Sequence, residues 1–171
     1  MKIIIPILII LLFIAGVVIG DGFQLFSPCP NCEEPAEEIF EVARIIDGDT
    51  IVMENEERVR YLGIDTPERG ECYYEEANEM NKRLVLLKDV KLEKDVQNFP
   101  TYRDHFCRQL RYVWMRNYAE TGFVVNVNEY LIRYGFAKYY PYGQDLKYGD
   151  ILEQAEQEAK DNKRGMWGEC Y

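Results

Sequence analysis

Apolar and polar residues alternate in short runs through the middle of the chain, then recur at helical spacing in later segments. Val42 to Ile46 and Thr50 to Met53 are β-branched, apolar runs separated by Asp47-Gly48, a tight-turn dipeptide. The polar patch Glu54 to Glu57 separates the second run from a third, Arg58 to Ile64. Three antiparallel strands joined by two short turns are expected, over about 39–47, 50–54 and 58–64. Val90 to Asp95 alternates and predicts a fourth strand. Leu110 to Met115 predicts a fifth, with Arg108 at its mouth. Phe123 to Val125 is a further short strand. Ala77, Met80, Leu84 and Leu87 recur at helical spacing and predict a helix from about Tyr74 to Lys88. Asn126-Val-Asn-Glu129 has capping-box spacing and opens a second helix ending at Gly135. Asp150-Ile-Leu-Glu153 opens a third that runs to about Arg164, with Glu156 and Lys160 as an i,i+4 pair. Met166 and Trp167 are expected to fold back on the core. No internal repeat is visible.

The N-terminus follows a different pattern. After Met1-Lys2, residues 3–19 are uncharged and largely apolar. As a helix they would span roughly 26 Å at 1.5 Å per residue, slightly short of the ~30 Å hydrocarbon core. Residues 1–20 resemble a signal peptide cut before Asp21, or an uncleaved signal anchor that tethers the chain through residues 3–19. Either implies export, with the remainder secreted or membrane-anchored. Residues 21–38 hold three prolines, two cysteines and the run E-E-P-A-E-E without apolar periodicity, so they are expected to form a flexible acidic linker. The folded domain then covers 39–171.

Charge and cysteine content narrow the picture further. The net charge of the 171 residues is −10, and the balance stays acidic beyond the linker. This excludes capture of nucleic acid by a broad basic surface, but not a local arginine patch. The five cysteines are Cys29, Cys32, Cys72, Cys107 and Cys170. In an exported chain they are disulfide candidates. Cys29-Pro-Asn-Cys32 has no second pair and no nearby histidine, which argues against zinc, and a small local disulfide is expected there. Cys72 and Cys170 are a second candidate pair. His105 is the only histidine, so histidine-rich metal clusters are excluded.

The chemistry concentrates between Arg44 and Glu68. Three antiparallel strands would bring Asp49, just past the first turn, near Asp65 at the end of the third. Carboxylates brought together need a cation between them, or one must be protonated. A hard, oxygen-preferring metal is one solution, leaving Arg60 to bind an anion. In the alternative, Arg60 pairs with Glu57 or Glu68 on a solvated face. Pro67 stiffens the exit from the strand and fixes the direction of Glu68. Arg108 contributes only if it converges with Arg60; otherwise it simply pairs with Asp104.

I-D-G-D-T, R-Y-L-G-I-D-T-P-E, D-H-F-C-R, N-E-Y-L-I-R-Y-G-F-A-K and a helix ending R-G-M-W together resemble the thermonuclease (staphylococcal nuclease-like) family, over about residues 40 to 170. The resemblance implies a five-stranded OB-fold barrel plus three α-helices, a β-barrel with helices of the α+β class. It implies a calcium ion held by Asp49, Asp65 and the carbonyl of Thr66. Arg60 and Arg108 would lie on the scissile phosphate, with Glu68 as base or orienter of the attacking water. The implied reaction is calcium-dependent hydrolysis of single-stranded DNA and RNA to 3′-phosphate ends, by a monomer. Cys107 stands where the family usually has glycine, and Phe106 replaces a usual tyrosine. The segment after Lys138 is shorter, which leaves Tyr140 and Tyr142 as candidates for stacking on a base. The alternatives are a catalytically silent OB-fold module that binds nucleic acid or protein, and an anchored structural or redox protein using Cys29 and Cys32.

Overall fold

The first two apolar runs form the hairpin that the Asp47-Gly48 turn implies. The computed structural model describes residues 39–95, 102–117, 122–143 and 145–171. The expected leader, the acidic linker and the Cys29–Cys32 bridge lie outside these residues. Strand β1 (Ile39–Ile45) pairs antiparallel with β2 (Thr50–Met53), and β2 pairs with β3 (Arg58–Tyr61). The third run does not continue as one strand to Ile64. It turns at Leu62-Gly63, where Gly63 has φ of +80° and Leu62 N–H donates to the Arg111 carbonyl. A two-residue strand, β4 (Ile64–Asp65), follows. Glycine is needed at this bend because a left-handed backbone penalises a Cβ.

Helix α1 (Tyr74–Val85) is shorter than expected. Its buried stripe is Ala77, Asn81, Leu84 and Val85. Leu87 has a positive φ and is exposed, so it belongs to the turn into β5 (Asp89–Glu93) rather than to the helix. Next come β6 (Gln109–Arg116), β7 (Phe123–Asn126) and α2 (Val127–Arg133). The side chain of Asn126 accepts from Glu129 N–H, as the capping box requires. Gly135, with φ of +75°, follows the helix end. Strand β8 (Lys138–Tyr139) pairs with β4.

Helix α3 (Gly149–Asp161) starts two residues earlier than the expected capping box allows. Tyr148 is its N-cap without a side-chain cap bond, and Asp150 sits in the first turn, where its charge still complements the helix dipole. The expected i,i+4 bond from Lys160 to Glu156 is formed. A short α4 (Met166–Glu169) buries Met166 and closes the chain against Gly135, whose carbonyl accepts from Met166 N–H.

β1, β2, β3, β5 and β6 close into a five-stranded barrel through a parallel pairing of β3 with β6, in which Arg60 faces Leu110. β7 extends the sheet beside β6, and α1, α2 and α3 pack around the barrel. Val42, Ile51, Met53, Val59, Tyr61, Leu110 and Tyr112 fill the interior, continuous with Leu131, Ile132 and Leu152 from the helices. Asn128 is a buried staple: its Oδ1 accepts from Val113 N–H and its Nδ2 donates to the Leu62 carbonyl. Its amide thus satisfies backbone groups at the Leu62-Gly63 bend, where ladder bonding stops.

Candidate active site

The turn of the first hairpin and the end of β4 meet at one rim of the barrel. Asp47 Oδ1 accepts from Asp49 N–H, an Asx-type bond that shapes the turn. Asp49 is almost fully buried. Its Oδ2 accepts from both the N–H and the hydroxyl of Thr66, each at 3.0 Å, and its Oδ1 accepts from Thr50 Oγ1. Gly48 is required by space. A Cβ there would come within 2.8 Å of Thr66 Oγ1.

Arg60 lies between the two carboxylates. Its Nη1 is 3.0 Å from Asp49 Oδ2, and its Nη2 donates to Asp65 Oδ1 at 2.9 Å. Nη1 also donates to the carbonyls of Tyr61 and Ile64. The alternative pairing with Glu57 or Glu68 is not formed. Glu57 instead accepts from Arg103 and Gln109. The cation between Asp49 and Asp65 is therefore the guanidinium itself. Burial pushes the Asp49 carboxyl up from its ordinary value, and Arg60 only partly offsets this. Burial pulls the Arg60 guanidinium down, but Asp49, Tyr142 and Asp65 together hold it above its ordinary value. Such a carboxylate is stable as an anion only with positive charge beside it.

Arg108 converges on the same rim. Asp104 Oδ1 accepts from the backbone N–H groups of Phe106 and Arg108, and its Oδ2 accepts from Arg108 Nε at 2.7 Å. This bond with Asp104 is therefore present, but it orients the arginine instead of consuming it. Arg108 Nη1 donates to Thr50 Oγ1 at 3.3 Å, and Thr50 Oγ1 donates to Asp49. The guanidinium also lies over the ring of Phe106. Cys107, at the position of the family's glycine, adopts the left-handed backbone at φ of 62° that glycine favours, and it is disulfide-bonded.

Tyr142 and Tyr140 separate in role. Burial raises the Tyr142 phenol, which also senses Arg60, Asp49, Asp65 and Arg108, so it belongs to the rim. Tyr140 is half exposed and meets Tyr142 edge-on, with ring centroids 4.7 Å apart. Glu68 is exposed just beyond Pro67. Its N–H donates to Glu71 Oε2, and its carbonyl accepts from Glu71 N–H.

Two residues were invisible as site elements in the sequence. Thr50 bridges Arg108 to Asp49. Asn81, fully buried on α1, donates to the Asp47 carbonyl at 2.9 Å and accepts from the Tyr61 hydroxyl at 2.8 Å. A polar residue on the apolar stripe of α1 was the available signal for Asn81. Thr50 carried none beyond its place in D-G-D-T.

The donor set suits a hard cation. Asp49, Asp65 and the Thr66 carbonyl offer oxygen only, and the buried Asp49 carboxylate needs positive charge. Among the described residues no group of three or more His, Cys, Asp or Glu gathers as a metal cage. Water or substrate oxygens would complete the coordination.

The family model described as "Staphylococcal nuclease homologue" matches residues 58–169. The thermonuclease of Staphylococcus hyicus is 32% identical over 140 residues, covering 77% of this chain and 76% of that protein. The thermonuclease of Staphylococcus intermedius is 34% identical over 139 residues, covering 76% of each. An uncharacterized endonuclease of Escherichia coli O157:H7 is 36% identical over 134 residues, covering 75% of this chain and 76% of that one. With a closed five-stranded barrel, three packed helices and this agreement over most of its length, the chain belongs to the staphylococcal nuclease family of nucleic-acid-hydrolysing enzymes.

Proposed function

We propose that this nuclease hydrolyses phosphodiester bonds in single-stranded DNA and RNA, depends on calcium, and leaves 3′-phosphate ends. The observation that carries this reading is the approach of two arginines, one from β3 and one from the mouth of β6, to a single buried carboxylate. Arg60 contacts Asp49 directly, and Arg108 reaches it through Thr50.

Asp49, Asp65 and the Thr66 carbonyl would hold the calcium ion. When bound, it supplies positive charge to the phosphoryl oxygens. Arg60 and Arg108 grip the scissile phosphate. Negative charge grows on its oxygens as water adds, and fixed guanidiniums in a water-poor rim stabilise that charge without reorganising. Arginine suits this better than lysine because its planar fork holds two oxygens at once. Glu68 accepts or directs the proton of the attacking water. The P–O5′ bond breaks, the 5′-oxygen leaves and takes a proton from solvent, and the phosphate stays on the 3′-oxygen. Tyr142 borders the scissile phosphate, and Tyr140 offers an exposed ring on which a base stacks.

A single-stranded substrate suits an acidic domain, because a flexible strand places one phosphate on a small cationic rim without needing a broad basic face. The leader over residues 1–20 exports the domain as a secreted or membrane-anchored monomer.

The test is an assay of the purified chain on single-stranded DNA and RNA, with calcium and then with excess chelator. Degradation that stops on chelation, with products that accept label only after phosphatase treatment at the 3′ end, is expected. Arg108→Ala should lower kcat by on the order of a hundredfold or more. Full activity in that variant, or in chelator, would refute the reading. Binding without cleavage would assign the chain to the silent OB-fold modules instead.

A further inference from the structure

Glu68 sits on a stretch with little of its own to hold it. Residues 68–73 form turns, not a helix or strand. Glu68 and Glu71 exchange two exposed hydrogen bonds, each worth little in water. Upstream, the chain is anchored: Asp65 pairs with Lys138 in the β4–β8 ladder, and Thr66 is bonded to Asp49. Downstream, α1 begins without a side-chain cap, and its N-cap Tyr73 has φ of 72°. Uncapped helix starts fray.

One covalent tie lies between these ends. Cys72, four residues after Glu68, is disulfide-bonded to Cys170, which is 98 residues away in sequence. Cys170 is the C-cap of α4, its N–H donating to Met166 O. Met166 is buried, and α4 is fastened to Gly135. Both cysteines line a cavity of about 340 Å³ with Asp65, Thr66, Pro67 and Glu71. That cavity thus brings together the candidate calcium ligands Asp65 and Thr66, the disulfide, and Pro67 and Glu71, which flank Glu68 along the chain.

We propose that the Cys72–Cys170 disulfide is a positioning element for Glu68, fixing the carboxylate against the attacking water from its downstream side. This rests on the role assigned to Glu68 above. Removing the bridge releases residues 68–72 while α1 stays docked, because Tyr73 still rests on Phe136 and the buried stripe of α1 is untouched. Arg60 and Arg108 keep their partners, so phosphate binding persists. The loss falls on the orientation of one catalytic group, to which rate is sensitive at the ångström scale.

The experiment compares four proteins: wild type, Cys72→Ser/Cys170→Ser, Glu68→Gln, and the combination. Circular dichroism and thermal melts verify folding at the assay temperature. The double cysteine variant should lose kcat by on the order of tenfold, with KM changed less than about twofold. In the Glu68→Gln background the same cysteine changes should leave the residual rate unaltered. As a second perturbation, two glycines inserted between Arg69 and Gly70 keep the bridge but slacken its hold, and should reproduce the kcat loss. Equal loss in both backgrounds means the bridge acts on the fold alone and overturns the proposal. Wild-type kcat in both the cysteine and the insertion variants does the same. Full activity of Glu68→Gln by itself would refute the role of Glu68, a failure visible before any cysteine is changed.

Discussion

Gly48→Ala tests how the two halves of the rim are fitted together. The backbone at Gly48 does not require glycine for its φ. The requirement comes from Thr66, whose Oγ1 would lie 2.8 Å, and Cβ and Cγ2 each 2.9 Å, from an added Cβ. Ordinary contact begins near 3.4 Å, so Thr66 must retreat by at least about 0.5 Å. Its N–H and hydroxyl donate to Asp49 Oδ2 at 3.0 Å each, and the retreat stretches them toward the limit of hydrogen bonding. Overpacking costs about 1–3 kcal/mol. Weakening two bonds to a buried carboxylate adds about 1–3 kcal/mol. The expected loss is about 2–6 kcal/mol, read as a lower urea midpoint at unchanged m, with a fall in nuclease rate as the candidate calcium ligands separate. Thr66→Gly in the same chain removes all three clashing atoms. The pair should then be less destabilised than the sum of the singles by about 1 kcal/mol or more. A Gly48→Ala protein within about 0.5 kcal/mol of wild type and equally active would show that the turn and Thr66 are not in contact as described.

Asn81→Leu strips the partners from the part-buried Asp47 carbonyl and the buried Tyr61 hydroxyl; a thermal melt should show a loss of about 2–4 kcal/mol, while Tyr61→Phe costs less because only one bond goes. Arg60→Lys retains positive charge but cannot span Asp49 and Asp65 together, so the assay should show a loss of on the order of a hundredfold in a chain that still folds. Glu57→Gln reports on its clasp with Arg103, which also donates to the Cys107 carbonyl. The hydrogen bond from Arg103 lowers the Glu57 carboxyl against the opposing effect of burial, with Gln109 assisting. A carboxyl lowered in the folded state stabilises above its ordinary value near 4.5 and loses that contribution as pH falls through the folded value. The variant should therefore melt slightly below wild type at pH 7, by about 0.5 kcal/mol for a pair whose carboxylate is more than a third exposed, and the difference should vanish in acid titration of stability.

The sequence by itself determined the elements whose signals are local. Short apolar runs bounded by turns, with alternation at Val90 to Asp95, marked the barrel strands; helical spacing marked α1, and capping-box spacing marked α2 and α3, because each pattern is local to a short segment. That Asp49 and Asp65 lie at one rim was also legible, although the bend at Leu62-Gly63 that carries Asp65 there on β4 was not. The Cys72–Cys170 bridge was named as a pair from their positions. Tertiary structure decided what depends on closure. Arg108 reaches Asp49 because β6 pairs in parallel with β3, a contact between segments about fifty residues apart that no local pattern encodes. Arg60 stands between the carboxylates because burial leaves Asp49 needing a cation, and the guanidinium beside it also reaches the half-exposed Asp65. Helix α1 stops at Val85 and α3 starts at Gly149 because neighbouring packing overrides end signals worth only about 1 kcal/mol each. Asn81 interrupts an apolar stripe because the hydrogen-bonding demand of the Asp47 carbonyl arises only after α1 docks on the turn.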